Sequence, residues 1–307
     1  MTSTEGPAPA DRALAQWLEE VRSSPASVRE VGAAALRAGG RERAALRPPG
    51  PAIAQVSDDR IPGGPAVRRY QPEAHTATIV LAHGGGWVLG DLETHDRLCR
   101  LLASGTGAGV TAVDYRRAPE HPWPAAVEDA IAVMRSERER RGEDHPLLLA
   151  GDSAGAAIVA LACLRMAGGD SAGPCGLSLA CPNTDLTLGH PSVRTFGRGW
   201  GLEEDALRWF VEQWVPEPGL RARGDVSPLF AEHLSRLPST HIATAELDPL
   251  GDEGRAFAAR LRDAGVLASH HDERGLVHGF VTLDHVSPAA AVATERWIKA
   301  TGRLLGL

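Results

Sequence analysis

The sequence predicts an α/β fold: a mostly parallel central sheet covered by helices on both faces. Three observations carry that reading. Short apolar runs alternate with longer amphipathic stretches over most of the chain, the pattern of strands joined by helices. The runs are mostly apolar rather than strictly alternating, as strands buried on both faces are. A chain of 307 residues also suits a single α/β domain of ordinary size.

The elements follow in order. In ADRALAQWLEEV, Leu14, Trp17, Leu18 and Val21 recur at helical spacing, which predicts a first amphipathic helix. SVREVGAAALRAG predicts a second, ended by the RPPGP punctuation at 47–51. The strands are TATIVLAHG (76–84), VTAVDYR (110–116), LLLAG (147–151) and HIATAEL (241–247), with helices near 94–104, 125–141, 154–167 and 252–264. Two segments stand outside this rhythm: the N-terminal helical region, residues 1–50, and an insert at about 190–224. The insert holds LEEDALRWFVEQWV and gathers Phe196, Trp200, Trp209, Phe210 and Trp214 from a chain poor in aromatics. Such helices either pack on the sheet or form a cap over the strand ends that shapes an apolar pocket. Residues 51–307 then form the main domain.

Composition excludes several roles. A net charge of −7 argues against nucleic acid, which wants a basic face. No apolar run is long enough to span a bilayer, and MTSTEGPAPADRA has neither the basic nor the apolar part of a signal peptide, so a cytoplasmic protein is expected. Cys99, Cys163, Cys175 and Cys181 form no CxxC pair and no metal-ligand spacing, which predicts reduced thiols and no metal. No cofactor motif is present, and a homodimer is compatible with the chain.

The chemistry is concentrated at LLLAGDSAGAAIV (147–159). An apolar run breaks into Gly151, Asp152, Ser153, Ala154 and Gly155, and a second apolar run follows. A G-x-S-x-G between strand and helix is a turn sharp enough to lift a serine hydroxyl above the sheet, at a helix N-terminus that favours an anion. A serine needs a base to take its proton and donors for the oxyanion it creates. HGGGWVLGD (83–91) follows the first strand of the alternating series, where consecutive glycines let backbone N–H groups face a ligand. The expected donors are Gly84, Gly85 and Ala154, with His83 holding the loop rather than carrying protons. Downstream, LVHGF offers His278 as base and AELDPL offers Asp248 directly after a strand. His270 and His271 fall on a plausible polar strand, His285 trails the loop, and the alternative acid Asp252 reads as the cap of DEGRAFAARLRDAG.

Together these residues resemble the hormone-sensitive-lipase-like esterases, the bacterial family IV carboxylesterases of the α/β-hydrolase fold. HGGGWVLGD, DYRRAPEHPWPAAVEDA, GDSAG, DVSPL, ELDPL, DEGRAFAARLRDAG and VHGF occur in the family's order from about residue 75 to 285. The resemblance implies Ser153 as nucleophile, Asp248 as acid and His278 as base. It also implies an oxyanion hole at Gly84, Gly85 and Ala154, and a cap from the N-terminal helices and the 190–224 insert. The substrate pocket is expected to include Trp87, Asp152, Phe196, Trp200, Trp209 and Trp214. Asp114, Arg116 and Glu120 match a block that braces the site. The chain departs from the family at Ala156 and Ala157, where Gly and often Asn follow GDSAG, and at Arg117, usually apolar. An extra methyl at Ala156 narrows the site or alters helix packing, which bears on substrate range.

The function implied is hydrolysis of small, short-chain carboxylic esters through an acyl-enzyme. A dedicated O- or N-deacetylase, or a lyase or dehydratase, would use the same oxyanion hole. A binding receptor on this scaffold would lack the base, and His278 is present.

Overall fold

The computed structural model describes residues 6–23, 27–167 and 173–307; Met1–Glu5 of the segment read for a leader lie outside them. Three helices come first: α1 (Arg12–Arg22), α2 (Val28–Val31) and α3 (Ala33–Ala45). The second stretch, expected as one helix, is two, because Gly32 at φ 77° breaks the run. The sheet follows, with β1 (Gln55–Arg60), β2 (Ala66–Gln71), β3 (Thr78–Ala82), β4 (Gly109–Asp114), β5 (Leu147–Asp152), β6 (Gly176–Ala180), β7 (Thr240–Leu247) and β8 (Ala268–Val277). Its eight strands lie in the order β1-β2-β4-β3-β5-β6-β7-β8. From β4 to β8 neighbours are parallel, while β2 joins β1 and β4 antiparallel.

Both faces of the sheet are buried, and alternation along each strand shows it. In β3, Ile79 and Leu81 face one core and Val80 and Ala82 the other; in β5, Leu148 and Ala150 oppose Leu147 and Leu149. α4 (Asp96–Thr106) and α10 (Pro288–Leu304) cover the first face with Leu98, Leu102, Trp297 and Ile298. α5 (Ala125–Arg141), α6 (Ala154–Met166) and α9 (Gly251–Asp263) cover the second. α6 is buried all round from Ala154 to Cys163, so its apolar run has no polar face.

The insert forms α7 (Pro191–Phe196) and α8 (Glu204–Trp214). The N-terminal helices are tied to it: Arg29 on α2 bridges Asp205 and Glu212 of α8 at 3.2 and 2.8 Å, and Arg22 donates to the Gly199 carbonyl. α3 is tied instead to the glycine loop. Arg37 donates to the carbonyls of Val88 and Ala118 and to both oxygens of Glu120, and Arg41 pairs with Asp91.

Candidate active site

Strand register brings the loops together. Ala82 of β3 pairs with Gly151 of β5, so His83 and Gly84 emerge beside Asp152 and Ser153. Leu247 of β7 pairs with Val277 of β8, so Asp248 and His278 emerge side by side one residue later. All of these loops leave the carboxyl ends of parallel strands, where sites collect in open α/β sheets.

Ser153 sits at φ 53°, ψ −120°, a strained conformation for a residue with a side chain. The flanking glycines permit it. A Cβ on Gly155 would lie 2.1 Å from the Ala82 carbonyl oxygen, and one on Gly151 would lie 2.5 Å from the Gly155 backbone. Ser153 Oγ is 2.8 Å from His278 Nε2, and His278 Nδ1 is 2.9 Å from Asp248 Oδ2. A carboxylate only accepts, so the ring proton is on Nδ1 and the bare Nε2 accepts from the serine hydroxyl. Asp248 is fully buried, and its other oxygen accepts from Leu250 N–H at 2.8 Å. Burial works against the imidazolium, but the charge and hydrogen bond of Asp248 outweigh it, and the His278 pKa is held above the usual histidine value.

The glycine loop corrects one assignment. Gly84 N–H donates to Asp152 Oδ1 at 2.9 Å, so it is already taken. A Cβ there would sit 2.3 Å from the Asp152 carboxylate. Gly85 and Gly86, at φ 120° and 60°, line the cleft beside Ser153, and among the described residues neither N–H has an acceptor. The same holds for Ala154, which opens α6. The free donors are therefore on Gly85, Gly86 and Ala154. Nothing in the HGGG string marks the first glycine as engaged; the acceptor belongs to a residue 68 positions away.

His83 lies under this loop. Its Nδ1–H donates to the Gly84 carbonyl at 2.8 Å, its ring stacks on Tyr115, and Tyr115 Oη donates to the His83 carbonyl. Burial and the neighbouring His95 push its pKa down to about 3, so it is neutral. Arg117 extends the brace, donating to the Gly90 carbonyl and pairing with Asp114 at 3.4 Å. Arg116 holds Asp129, and Glu120 holds Arg37. His270 bonds Thr244 between β8 and β7 and does not line the cleft around Ser153. Asp252 lies within the first turn of α9, where it accepts from Ser192 N–H and pairs with Arg255; the position preceding the helix is Leu250.

The cleft around Ser153 has a volume of about 340 Å³. Of the expected pocket residues, Asp152 lines it. Trp87 and Trp214 do not: they stack on each other with centroids 4.3 Å apart and are fully buried in the core. Trp209 is buried behind Phe210, and Phe196 and Trp200 pack against the other core. From the N-terminal helices and the insert, the apolar lining is Trp17, Leu36, Leu202, Leu207 and Phe210; Leu89 and Leu283 add to it from the main domain. Phe210 reaches in because Gly86 leaves room; a Cβ there would lie 2.4 Å from its ring. Ala156 and Ala157 turn into the core rather than the cleft, so their methyls act on helix packing. Cys181 brings its sulfur within 4.8 Å of donor atoms on Asp248 and His278, but burial drives its thiol pKa well up and the other two are engaged with each other.

A mostly parallel sheet with this serine, histidine and aspartate at its carboxyl end is the arrangement of an α/β hydrolase. The family model described as the alpha/beta hydrolase fold matches residues 79–282. Carboxylic ester hydrolase LipN of Mycobacterium tuberculosis is 40% identical over 271 residues, covering 82% of this chain and 71% of LipN. The ethyl acetate hydrolase of Pseudomonas putida is 34% identical over 230 residues, 72% of each chain. A hyperthermophilic esterase from the archaeon Pyrobaculum calidifontis superposes with a TM-score of 0.86 at 32% identity, over 96% of this chain and 99% of its own. The chain belongs to the hormone-sensitive-lipase-like esterases of the α/β-hydrolase superfamily.

Proposed function

We propose that this protein hydrolyses short-chain carboxylic esters through an acyl-enzyme formed on Ser153. The observation that carries this reading is the unbroken relay from Asp248 through His278 to Ser153, at 2.9 and 2.8 Å. Ser153 Oγ attacks the ester carbonyl as His278 Nε2 takes its proton, and Asp248 stabilises the imidazolium. The oxyanion forms against the N–H groups of Gly85, Gly86 and Ala154, pre-aimed by the loop and the start of α6. His278 then gives its proton to the leaving alcohol, and water repeats the sequence on the acyl-enzyme.

The N-terminal helices and the 190–224 insert act as a cap. Trp17, Leu36, Leu202, Leu207 and Phe210 come from these two segments and line the cleft over the serine. A cleft of about 340 Å³ is at the small end of the range for small-molecule sites, which favours short acyl groups. Hydrolysis of aryl esters of graded acyl length, with Ser153→Ala as control, tests the reading. Activity falling by at least about 10⁴-fold in the variant supports it. Undiminished hydrolysis by the variant rules it out.

A further inference from the structure

The chain carries a net charge of −7, yet one wall of the cleft is basic. Arg37, Arg43 and Arg47, on α3 and the turn after it, all line that wall. Arg37 is occupied by Glu120 and two carbonyls. Arg47 is partly buried, and its guanidinium has one acceptor, the Thr94 carbonyl at 3.1 Å. Among the described residues no carboxylate forms an ion pair with Arg43 or Arg47. The acids nearby are taken: Asp284 is gripped by Arg97 at 2.7 Å, Asp91 by Arg41, and Asp152 by Gly84 N–H. Burial and the adjacent Arg43 push the Arg47 pKa down against the pull of Asp284, whose carboxylate is already held by Arg97. A half-desolvated guanidinium with free donors is a fork that fits a carboxylate.

We infer that Arg43 and Arg47 receive a free carboxylate carried by the substrate. The preferred esters are then anionic, with the carboxylate several bonds from the scissile carbonyl, as in half-esters of dicarboxylic acids. The inference rests on the esterase reading of Ser153 and adds the substrate class to it.

The test compares two esters of matched length, monomethyl adipate and methyl hexanoate, which differ in a terminal carboxylate against a methyl. Methanol release is measured with the wild-type protein, Ser153→Ala and the double variant Arg43→Gln/Arg47→Gln. The wild type is expected to favour the adipate by about tenfold in kcat/KM, mainly through KM, as a charge-assisted contact provides. That preference should fall as salt is raised, and it should collapse towards unity in the double variant. Because each variant is scored by its own ratio, a general loss of folded protein does not mimic the result. Hydrolysis of methyl hexanoate that depends on Ser153, with an adipate ratio at or below one, overturns the anion site and leaves the esterase reading standing. A ratio unchanged in the double variant also overturns it. If neither ester is hydrolysed, or both survive Ser153→Ala, the esterase reading falls and the anion site with it.

Discussion

Gly151 and Gly155 make room for a strained serine, and each is a test at the scale of one atom. Gly155→Ala places a Cβ 2.1 Å from the Ala82 carbonyl oxygen, between two rigid backbones that cannot give way. It should destabilise the fold by about 3 kcal/mol or more in urea unfolding; a change within experimental error would mean that the turn at Ser153 has room to spare. His278 predicts a pH dependence. Its protonated form cannot take the serine proton, so kcat/KM must fall on the acid side as pH drops through its pKa. Asp248 holds that pKa above the usual value, so the limb should centre above about 6.5. Asp248→Asn should move any residual limb to lower pH, whereas an unmoved limb would detach Asp248 from His278. His83 is neutral and buried under the loop, so His83→Ala should keep the limb while losing oxyanion stabilisation, at most about 3 kcal/mol. A limb that vanishes with His83 and persists without His278 would exchange the two roles. The serine, histidine and aspartate could be read from sequence because each lies in a short local pattern at a strand end. Gly85 and Ala154, expected as donors, keep free N–H groups among the described residues, whereas only the fold shows that Asp152 occupies Gly84 and leaves Gly86 as the second free N–H of the loop.

At the scale of elements, the apolar strands and their helices announce themselves by composition, while others do not. β1, QVSDDR, is an exposed edge strand held by backbone pairing to β2, so no apolar pattern marks it. β6 is only GLSLA, too short to separate from a loop by periodicity. α10 did carry legible signals, Ser287 as N-cap and Pro288 in the first turn. α3 has a small apolar stripe and works through arginines. Arg37 reaches the carbonyls of Val88 and Ala118, on the glycine loop and the segment beside it. Arg37→Ala strands both acceptors in a partly buried site and should lower stability by about 1–3 kcal/mol. The same variant should slow hydrolysis through kcat, since the loop that carries Gly85 and Gly86 loses a brace. Unaltered stability and kcat in chemical unfolding and steady-state assays would show that α3 merely rests on the loop.

At the scale of the whole molecule, the cleft is lined by segments far apart in sequence. Counting aromatics in the insert pointed to Phe196, Trp200, Trp209 and Trp214, but core packing takes those rings, and Phe210 and Trp17 line the cleft instead. With a volume of about 340 Å³, acyl chains should gain up to about 0.8 kcal/mol per methylene that fits and then lose rate. A C4 aryl ester should therefore turn over faster than a C16 ester, and the reverse order would indicate an open, lipid-accepting groove. Everything else depends on one oxygen atom. Treating the protein with an aryl organophosphate and locating the adduct by peptide mass spectrometry tests it most directly. One phosphoryl group per chain is expected on Ser153, with loss of ester hydrolysis in proportion to labelling and no adduct in Ser153→Ala; full labelling of that variant, or hydrolysis undiminished once Ser153 is modified, would remove Ser153 as the nucleophile.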